Sequence, residues 1–171
     1  MSDVPEGLAD GVQRRLDPRY VDLQQQVGWI VAGVVSSILL IGLAVFALAT
    51  QPGVWVLLAA LAATVVIIAG LVWLAVRWPS IEYERASYVL DDRGLEIRRG
   101  VVWRRVINVP RSRVQHTDVS QGPLERSHGL GTLVVYTAGT AHAQVDLPGL
   151  EHATALRIRD HLLPRELADA V

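Results

Sequence analysis

A long uncharged stretch dominates the hydrophobic pattern of this chain. Residues 27–76 contain no Asp, Glu, Lys, Arg or His, whereas charged residues occur throughout both flanks. Pro52 and Gly53 interrupt the stretch, and such a pair breaks helices and favours turns. The two halves, 27–50 and 54–76, are each long enough to cross a hydrocarbon core of about 30 Å as a helix. The pattern therefore predicts an antiparallel hairpin of two transmembrane helices.

A buried helix in a soluble protein and a cleaved secretory signal are two other interpretations of this stretch. Two adjacent uncharged runs of this length exceed what the core of so small a protein can bury. Ala47-Leu48-Ala49 has the small residues of a cleavage site, but a 26-residue polar leader precedes the apolar run and a second run follows at once. Both features are atypical of a signal, and the hairpin accounts for them.

The flanks of the hairpin determine its predicted orientation. Arg14, Arg15 and Arg19 precede the first span, Arg77 and Arg85 follow the second, and the turn between the spans has no charge. Because positively charged flanks stay on the cytoplasmic side, both termini are expected in the cytoplasm, with the protein in a bacterial plasma membrane. No ionisable residue lies within either span, which argues against an ion path or a proton relay.

After residue 80 the apolar positions alternate with polar ones, which is typical of β-strands. Pro79 is predicted to end the second helix, and Pro148-Gly149 to end the last strand. Six or seven short antiparallel strands followed by one helix fit an open or partly closed barrel. The strands are predicted at 88–90, 95–98, 103–109, 114–120, 130–137 and 141–147.

A closing helix is predicted over 151–163, because apolar residues recur there at helical spacing. Such a face suits a helix that lies on a sheet or caps a barrel. The apolar face comprises Ala155, Leu156, Ile158, Leu162 and Leu163.

One segment of the β-rich part carries a motif. It runs from Ile107 to Arg126 and continues through 129–133 to 136–139. Together with the preceding hairpin, it resembles the bacterial pleckstrin-homology (PH) domain of YdbS-like membrane proteins, the bPH2 type. The motif residues are Pro110, Arg113, Gln115, Gly122, Pro123, Arg126, Gly129, Gly131 and Thr137.

The resemblance implies a two-helix transmembrane hairpin followed by a small PH-like barrel, in which two nearly orthogonal antiparallel sheets are closed by the C-terminal α-helix. It implies no reaction. The family is linked to envelope stress and antimicrobial-peptide resistance, often with a larger partner that carries several such domains. Residues 1–26 lie outside the resemblance and are predicted to form a partly disordered cytoplasmic arm, followed by the hairpin over 27–78 and a cytoplasmic PH-like domain over 79–171.

Most motif residues have a structural interpretation. The glycines supply backbone freedom or close approach, and the prolines mark strand ends, with a turn at Gly122-Pro123. Arg113 and Arg126 have two interpretations: they brace the barrel by pairing with carboxylates, or they face a partner. Gln115 could pair across a strand edge with another protomer. The carboxylates available for bracing are Glu125, Asp118 and Asp146.

Two arginine pairs flank one predicted turn. Arg98-Arg99 precede this turn, Arg104-Arg105 follow it, and Trp103 lies between the two pairs. Guanidinium groups bind phosphate through paired hydrogen bonds, and each such charge near an anionic leaflet is attracted by about 1 kcal/mol. The cluster is therefore a candidate contact for anionic headgroups or for a partner. A solvated turn whose arginines lie near Glu96 and Asp91 is the alternative interpretation.

Composition narrows the function further. The chain has 16 basic residues, all arginine, 17 acidic residues and a net charge of −1, which argues against nucleic acid as a partner. It has no cysteine, which excludes disulfides, thiol catalysis and Cys-ligated zinc. The five histidines show no metal-ligand spacing, and there is no nucleophile elbow, P-loop or dinucleotide fingerprint. Neither enzyme activity nor a metal or cofactor is predicted.

The sequence thus favours a non-enzymatic, membrane-anchored interaction or scaffold module in the cell envelope. An anionic-lipid headgroup-binding module that uses the arginine cluster is the alternative. The expected partners are the membrane, another membrane protein such as a larger multi-PH-domain protein, and anionic lipid. Small residues four apart in the first span pack the hairpin against itself or against a second copy in a homo-oligomer. They are Gly28, Ala32 and Ser36.

Overall fold

The computed structural model of the protein describes residues 9–138 and 144–162. These residues belong to two compact units. One unit consists of residues 24–80. The other combines the residues up to Leu23 with those from Ile81 onward, so the first unit is inserted into the second in sequence.

Two helices of 32 residues each form the hairpin. Helix α1 spans Arg19–Thr50, helix α2 spans Val54–Arg85, and residues 51–53 connect them. Both are long and apolar enough to cross a membrane. Only 6% of the most apolar stretch of α1 and none of that of α2 is buried, which is the reverse of the burial expected for a core helix of a soluble protein. The prediction of two long apolar helices is confirmed.

The two helices approach closely at a small-residue position. A Cβ on Gly28 would lie 3.0 Å from the Cβ of Ala75, so glycine permits this approach. Ala32, one turn further along α1, is buried. The side-chain amide of Gln25 donates a hydrogen bond of 3.2 Å to the carbonyl of Val76. Gly28 and Ala32, two of the small residues singled out in the sequence, are therefore used within the hairpin.

Both helices extend beyond the uncharged runs. Helix α1 begins at Arg19, where the Asp17 carboxylate accepts the backbone N–H of Arg19 at 2.9 Å. Helix α2 continues through Pro79 to Arg85, so the prediction that Pro79 ends it is wrong. A proline removes one helical hydrogen bond, and apolar helices tolerate this loss without ending. Tyr83, beyond the proline, packs against the core of the β-rich unit.

The described part of the β-rich unit contains two antiparallel sheets, two further α-helices and a 3-10 helix over Arg111–Arg113. No described strand of one sheet pairs with a strand of the other, so the sheets are not closed into a barrel. The predicted fold class is otherwise confirmed. In order, the four-stranded sheet consists of Gln13–Arg15 (β1), Ser87–Asp91 (β2), Gly94–Arg99 (β3) and Arg105–Pro110 (β4). The three-stranded sheet consists of Val114–Ser120 (β5), Leu130–Thr137 (β6) and Gln144–Glu151 (β7). The helices are Pro123–Ser127 (α3) and His152–Leu162 (α4).

Strand β1 belongs to the segment that was expected to be an arm. It pairs with β2, with Arg15 opposite Ser87. Leu16, which follows, is buried in the core. The prediction of a partly disordered arm is therefore wrong for residues 13–26, which belong to β1, its connection and the first turns of α1.

Strand β7 continues through Pro148-Gly149, so the prediction that this pair ends the sheet is wrong. Gly131 pairs with Leu150 and Leu133 with Leu147, which leaves two residues of β7 opposite one residue of β6. A bulge of this kind accommodates proline because the ladder does not need its missing N–H.

The other predicted elements differ from the structure mainly at their ends. The strand expected at 103–109 begins at Arg105, so Trp103 and Arg104 lie in a loop. Helix α3 occupies the place of the simple turn expected at Gly122-Pro123. The turn expected at 138–140 and the start of the strand expected at 141 fall largely outside the described residues.

Helix α4 packs on the core that both sheets supply. The predicted apolar face is confirmed: Ala155, Ile158 and Leu162 have no exposed surface, and Leu156 is half-buried. Leu163, also assigned to this face, lies outside the described residues. The strands contribute Tyr88, Leu90, Leu95, Ile97, Val109, Val114, Leu133, Val135, Val145, Leu147 and Leu150 to the core.

Candidate functional site

The connection between β3 and β4 is a tight loop of residues 100–104, which we call the tip loop. Arg99 lies opposite Arg105 at its base. Gly100 has a φ of +117°, and a Cβ there would collide with the carbonyl oxygen of Trp103. Only glycine fits this position without a change in the loop.

The same end of the sheet brings in residues from β1 and from the end of α2. Arg15, Ser87, Arg98 and Val106 are register partners across the four strands, so their side chains share one face of the sheet. Arg85 immediately precedes this region, at the end of α2. The sheet pairing thus collects arginines that are distant in sequence.

These residues surround a cleft of about 440 Å³. Among the described residues, six arginines but only one carboxylate, that of Glu84, line it. A concave site with such an excess of one charge attracts counter-ions of the opposite sign. We call it the arginine cleft. It is lined by Gln13, Arg15, Glu84, Arg85, Ala86, Ser87, Arg98, Arg99, Arg104, Arg105 and Val106.

Three of the six arginines are held by other groups. Arg85 donates to the carbonyl of Val101 in the tip loop at 2.5 Å. Arg98 forms a 2.5 Å ion pair with Glu96, as one alternative from the sequence anticipated. Arg99 is half-buried and donates to the backbone carbonyl of Asp146 at 3.3 Å.

The other three are Arg15, Arg104 and Arg105. Within residues 9–138 and 144–162, none of them forms a salt bridge, and all three are exposed. Guanidinium groups in this state can turn toward an incoming anion and bind its oxygens through paired hydrogen bonds. The cleft therefore combines three arginines held by other groups of the protein with three that can turn toward an anion.

Apolar side chains project beside the cleft. Trp103 is 82% exposed, Val102 is 73% exposed and Val106 is 63% exposed. Trp103 and Val102 lie in the tip loop, whereas Val106 also lines the cleft. The arginine cluster is thus bordered by an exposed apolar patch.

The sequence-predicted cluster is largely brought together. Arg98, Arg99, Arg104 and Arg105 all line the cleft, and Trp103 lies on the loop between the pairs without lining it. Arg15 and Arg85 were missed as site residues. Neither gave a signal, because a three-residue strand is too short to show periodicity and Arg85 lies at the end of a helix.

The family-motif glycines and Pro123 occupy structural positions. Gly122 begins α3, where its N–H donates to Glu125 at 2.7 Å, and Pro123 is the first helical residue. Gly129 has a φ of +68°, and Gly131 is buried, with room for a Cβ limited by His152 Nδ1 at 3.3 Å. These residues thus occupy a helix start, a position with positive φ and a position of close approach.

The other motif residues lie at strand ends and edges. Pro110 ends β4, and Thr137 is buried at the end of β6. Gln115 is exposed on β5, where the register with β6 shifts. Arg113 and Arg126 are exposed, and in the described part of the chain neither forms an ion pair with the expected carboxylates.

Metal binding has no structural counterpart among the residues described. No cluster of three or more histidine, aspartate or glutamate side chains there could hold a metal ion. The ring of His116 instead packs against Tyr136, its partner across the sheet, with ring centroids 5.7 Å apart.

Comparison with known proteins gives one family match and one curated relative. The model of the family described as "Bacterial PH domain" matches residues 26–166. The chain is similar to the "UPF0699 transmembrane protein YdbS" of Bacillus subtilis (strain 168), with 39% identity over 85 residues. That match covers 49% of this chain and 51% of the relative, so the chain matches about half the length of that protein. No solved structure matches the chain.

Proposed function

Because the chain belongs to the bacterial PH domain family, whose fold does not by itself imply a reaction, we propose that it is a membrane-anchored module that binds phosphate-bearing lipid headgroups in the arginine cleft. The observation that carries this proposal is the lining of the cleft by six arginines and one carboxylate. The family is one of PH-domain membrane proteins and not a known class of enzyme. The proposed module acts without catalysis.

The strength of binding can be bounded from the available charges. Arg15, Arg104 and Arg105 have no salt bridge within the described residues. If each contributes about 1 kcal/mol of attraction to an anionic headgroup, the three together contribute about 3 kcal/mol, or roughly two orders of magnitude in Kd. This attraction is screened by salt, so it is largest at low ionic strength.

The test uses the full-length chain in a non-ionic detergent, titrated with dioctanoyl phosphatidylglycerol and, separately, with dioctanoyl phosphatidylcholine. We expect the anionic lipid to bind more tightly, and R15Q/R104Q/R105Q to lose most of that preference. The matched control is R93Q/R113Q/R126Q, which removes three exposed arginines that lie outside the cleft. Inorganic phosphate and glycerol phosphate, titrated alone, distinguish a lipid site from a site for free phosphate. Equal loss of binding in both triple variants would contradict the proposal.

The proposed topology places both termini in the cytoplasm. The pairing of β1 with β2 supports it, because the residues entering α1 and leaving α2 then meet in one sheet. An antiparallel pair of crossings brings the chain back to the side from which it started. The arginines on both flanks, and the uncharged turn between the helices, support the cytoplasmic side.

Scaffolding of other envelope proteins is the second candidate function. Strands β4 and β5 each pair on one side only in the described part of the fold, and such edges can accept a strand from another chain. Co-purification in a mild detergent separates the two candidates. A stoichiometric protein partner, such as a larger multi-PH-domain protein or a second copy, supports the scaffold, whereas bound anionic lipid alone supports the headgroup-binding module.

The link to envelope stress and antimicrobial-peptide resistance stays a proposal about the physiological process. In a strain that lacks the protein, we expect the wild-type chain to restore resistance to a cationic peptide. If headgroup binding underlies that resistance, R15Q/R104Q/R105Q should fail to restore it while R93Q/R113Q/R126Q succeeds. Restoration by both variants would separate the resistance from the arginine cleft.

A further inference from the structure

The tip loop exposes an apolar surface in an otherwise polar setting. Val102 and Trp103 are among the most exposed large hydrophobic residues of the β-rich unit. A single exposed apolar residue is ordinary, but two adjacent ones at the end of a rigid hairpin, with Val106 nearby, form a patch that needs an explanation. Gly100 holds this loop in a tight turn, so the patch has a defined shape.

Arginines surround this patch. Arg98, Arg99, Arg104 and Arg105 flank the loop on both strands. Tryptophan prefers the boundary between headgroups and acyl chains, and arginine prefers the headgroups themselves. An apolar loop flanked by arginines therefore matches an anionic leaflet, whose acyl boundary is apolar and whose headgroup layer is negatively charged.

The position of the tip loop in the chain also supports a lipid leaflet as the partner of this patch. Arg85, the last residue of α2, donates to the carbonyl of Val101 in the loop. This arginine comes nine residues after Val76, where the uncharged run ends. The tip loop is thus hydrogen-bonded to the C-terminal residue of α2.

The area of the patch argues against a protein partner as its main occupant. A buried tryptophan contributes about 200 Å². With two valines the patch stays well below the roughly 800 Å² that each partner buries in a stable protein interface. A lipid surface has no such minimum, because binding there increases with each apolar side chain that enters the interface.

We propose that the tip loop inserts Val102 and Trp103 into the interfacial layer of the membrane that α1 and α2 cross, with the flanking arginines at headgroup level. This inference goes beyond headgroup binding in the arginine cleft. The cleft could bind a headgroup without insertion, and the loop could insert with the cleft empty.

The absence of native cysteine gives a direct test. Val102→Cys in the full-length chain carries one environment-sensitive NBD fluorophore, and the protein is reconstituted into phosphatidylcholine vesicles with or without phosphatidylglycerol. Some of the lipids carry a nitroxide on the acyl chain. The matched control is Ser112→Cys, an exposed position beyond the far end of β4. We expect several-fold stronger nitroxide quenching and a blue-shifted emission at position 102, and neither at position 112.

Two outcomes at position 102 would overturn insertion of the tip loop. Free access of aqueous iodide to position 102 without nitroxide quenching would overturn insertion. Protection from iodide without nitroxide quenching, together with cross-linking between chains, would assign the patch to a second copy and would also overturn it. V102C/W103S should show reduced quenching at an unchanged melting temperature, which separates insertion from misfolding.

A further variant keeps this inference separate from the proposed function. V102C/R15Q removes a cleft arginine that lies outside the tip loop. It should weaken binding of dioctanoyl phosphatidylglycerol and leave the quenching at position 102 in place. Loss of quenching in this variant would show that insertion depends on the cleft, and it would contradict independent insertion of the loop.

Discussion

Replacing Gly149 with alanine should destabilise the β-rich unit more than the same change at Gly129. Both glycines have a positive φ, +74° and +68°, and a side chain in that conformation costs about 1–2 kcal/mol. A Cβ on Gly149 would also lie 2.6 Å from Cγ of Tyr20, whereas a Cβ on Gly129 would meet the flexible guanidinium of Arg19 at 3.2 Å. Overpacking adds about 1–3 kcal/mol. We expect Gly149→Ala to cost about 2–5 kcal/mol and Gly129→Ala about 1–2 kcal/mol.

The measurement is thermal unfolding of the full-length chain in detergent, followed by near-ultraviolet circular dichroism. In a domain of roughly 100 residues, 1 kcal/mol shifts the melting temperature by about 4–8 °C, so the two variants should be readily separated. The Tyr20→Ala background supplies the control. In that background the ring atoms at 2.6 and 2.8 Å are gone while the Cβ of residue 20 remains, 3.0 Å from the new Cβ. Most of the extra cost of Gly149→Ala over Gly129→Ala should therefore disappear. An unchanged cost in that background would refute the role of the ring.

Three further predictions follow from individual contacts. Glu125→Ala removes the acceptor of the Gly122 N–H and the Thr132 hydroxyl, both at 2.7 Å, and should lower the free energy of unfolding by about 1–3 kcal/mol, measured by thermal unfolding. Hydrogen bonds from Arg19 lower the pKa of Asp17, so its stabilisation is present above the ordinary pKa of 3.8 and is lost as the pH falls further; the melting temperatures of wild type and Asp17→Asn should converge in acid. A single cysteine in the turn between α1 and α2 should react with an impermeant thiol reagent added outside cells, while one near the C-terminus should not.

Most of the fold was predictable because it depends on local patterns. The helices follow from uncharged runs, and β5 and β6 have the predicted bounds because their flanking turn residues are adjacent in sequence. Pro79 and Pro148 were misjudged for a common reason. Each lies where neighbouring structure tolerates a missing N–H, within a long helix in one case and at a bulge in the other. Tertiary context thus overrode a local signal for termination.

The candidate site was predictable only where it is local. The tip loop and its flanking arginines occupy eight consecutive residues, 98–105, so the turn alone places them together. Arg15 and Arg85 lie on opposite sides of the hairpin in sequence. They meet because β1 pairs with β2, and that pairing accompanies the burial of Leu16 in the core.

The cleft needs residues from both sides of the hairpin in sequence. A fragment that begins at residue 80 would lack β1, and with it Arg15, Gln13 and the partner of one edge of β2. Gln13 donates to the hydroxyl of Ser87 at 2.9 Å and accepts from Arg98 at 3.5 Å. A fragment without Gln13 would lose this contact of Arg98 and keep its ion pair with Glu96. Weak lipid binding by such a fragment would therefore reflect the loss of Gln13 and Arg15 from the cleft, and it would not contradict binding by the full-length chain. Binding should therefore be measured on a chain that retains β1 and the hairpin, in detergent or in a bilayer.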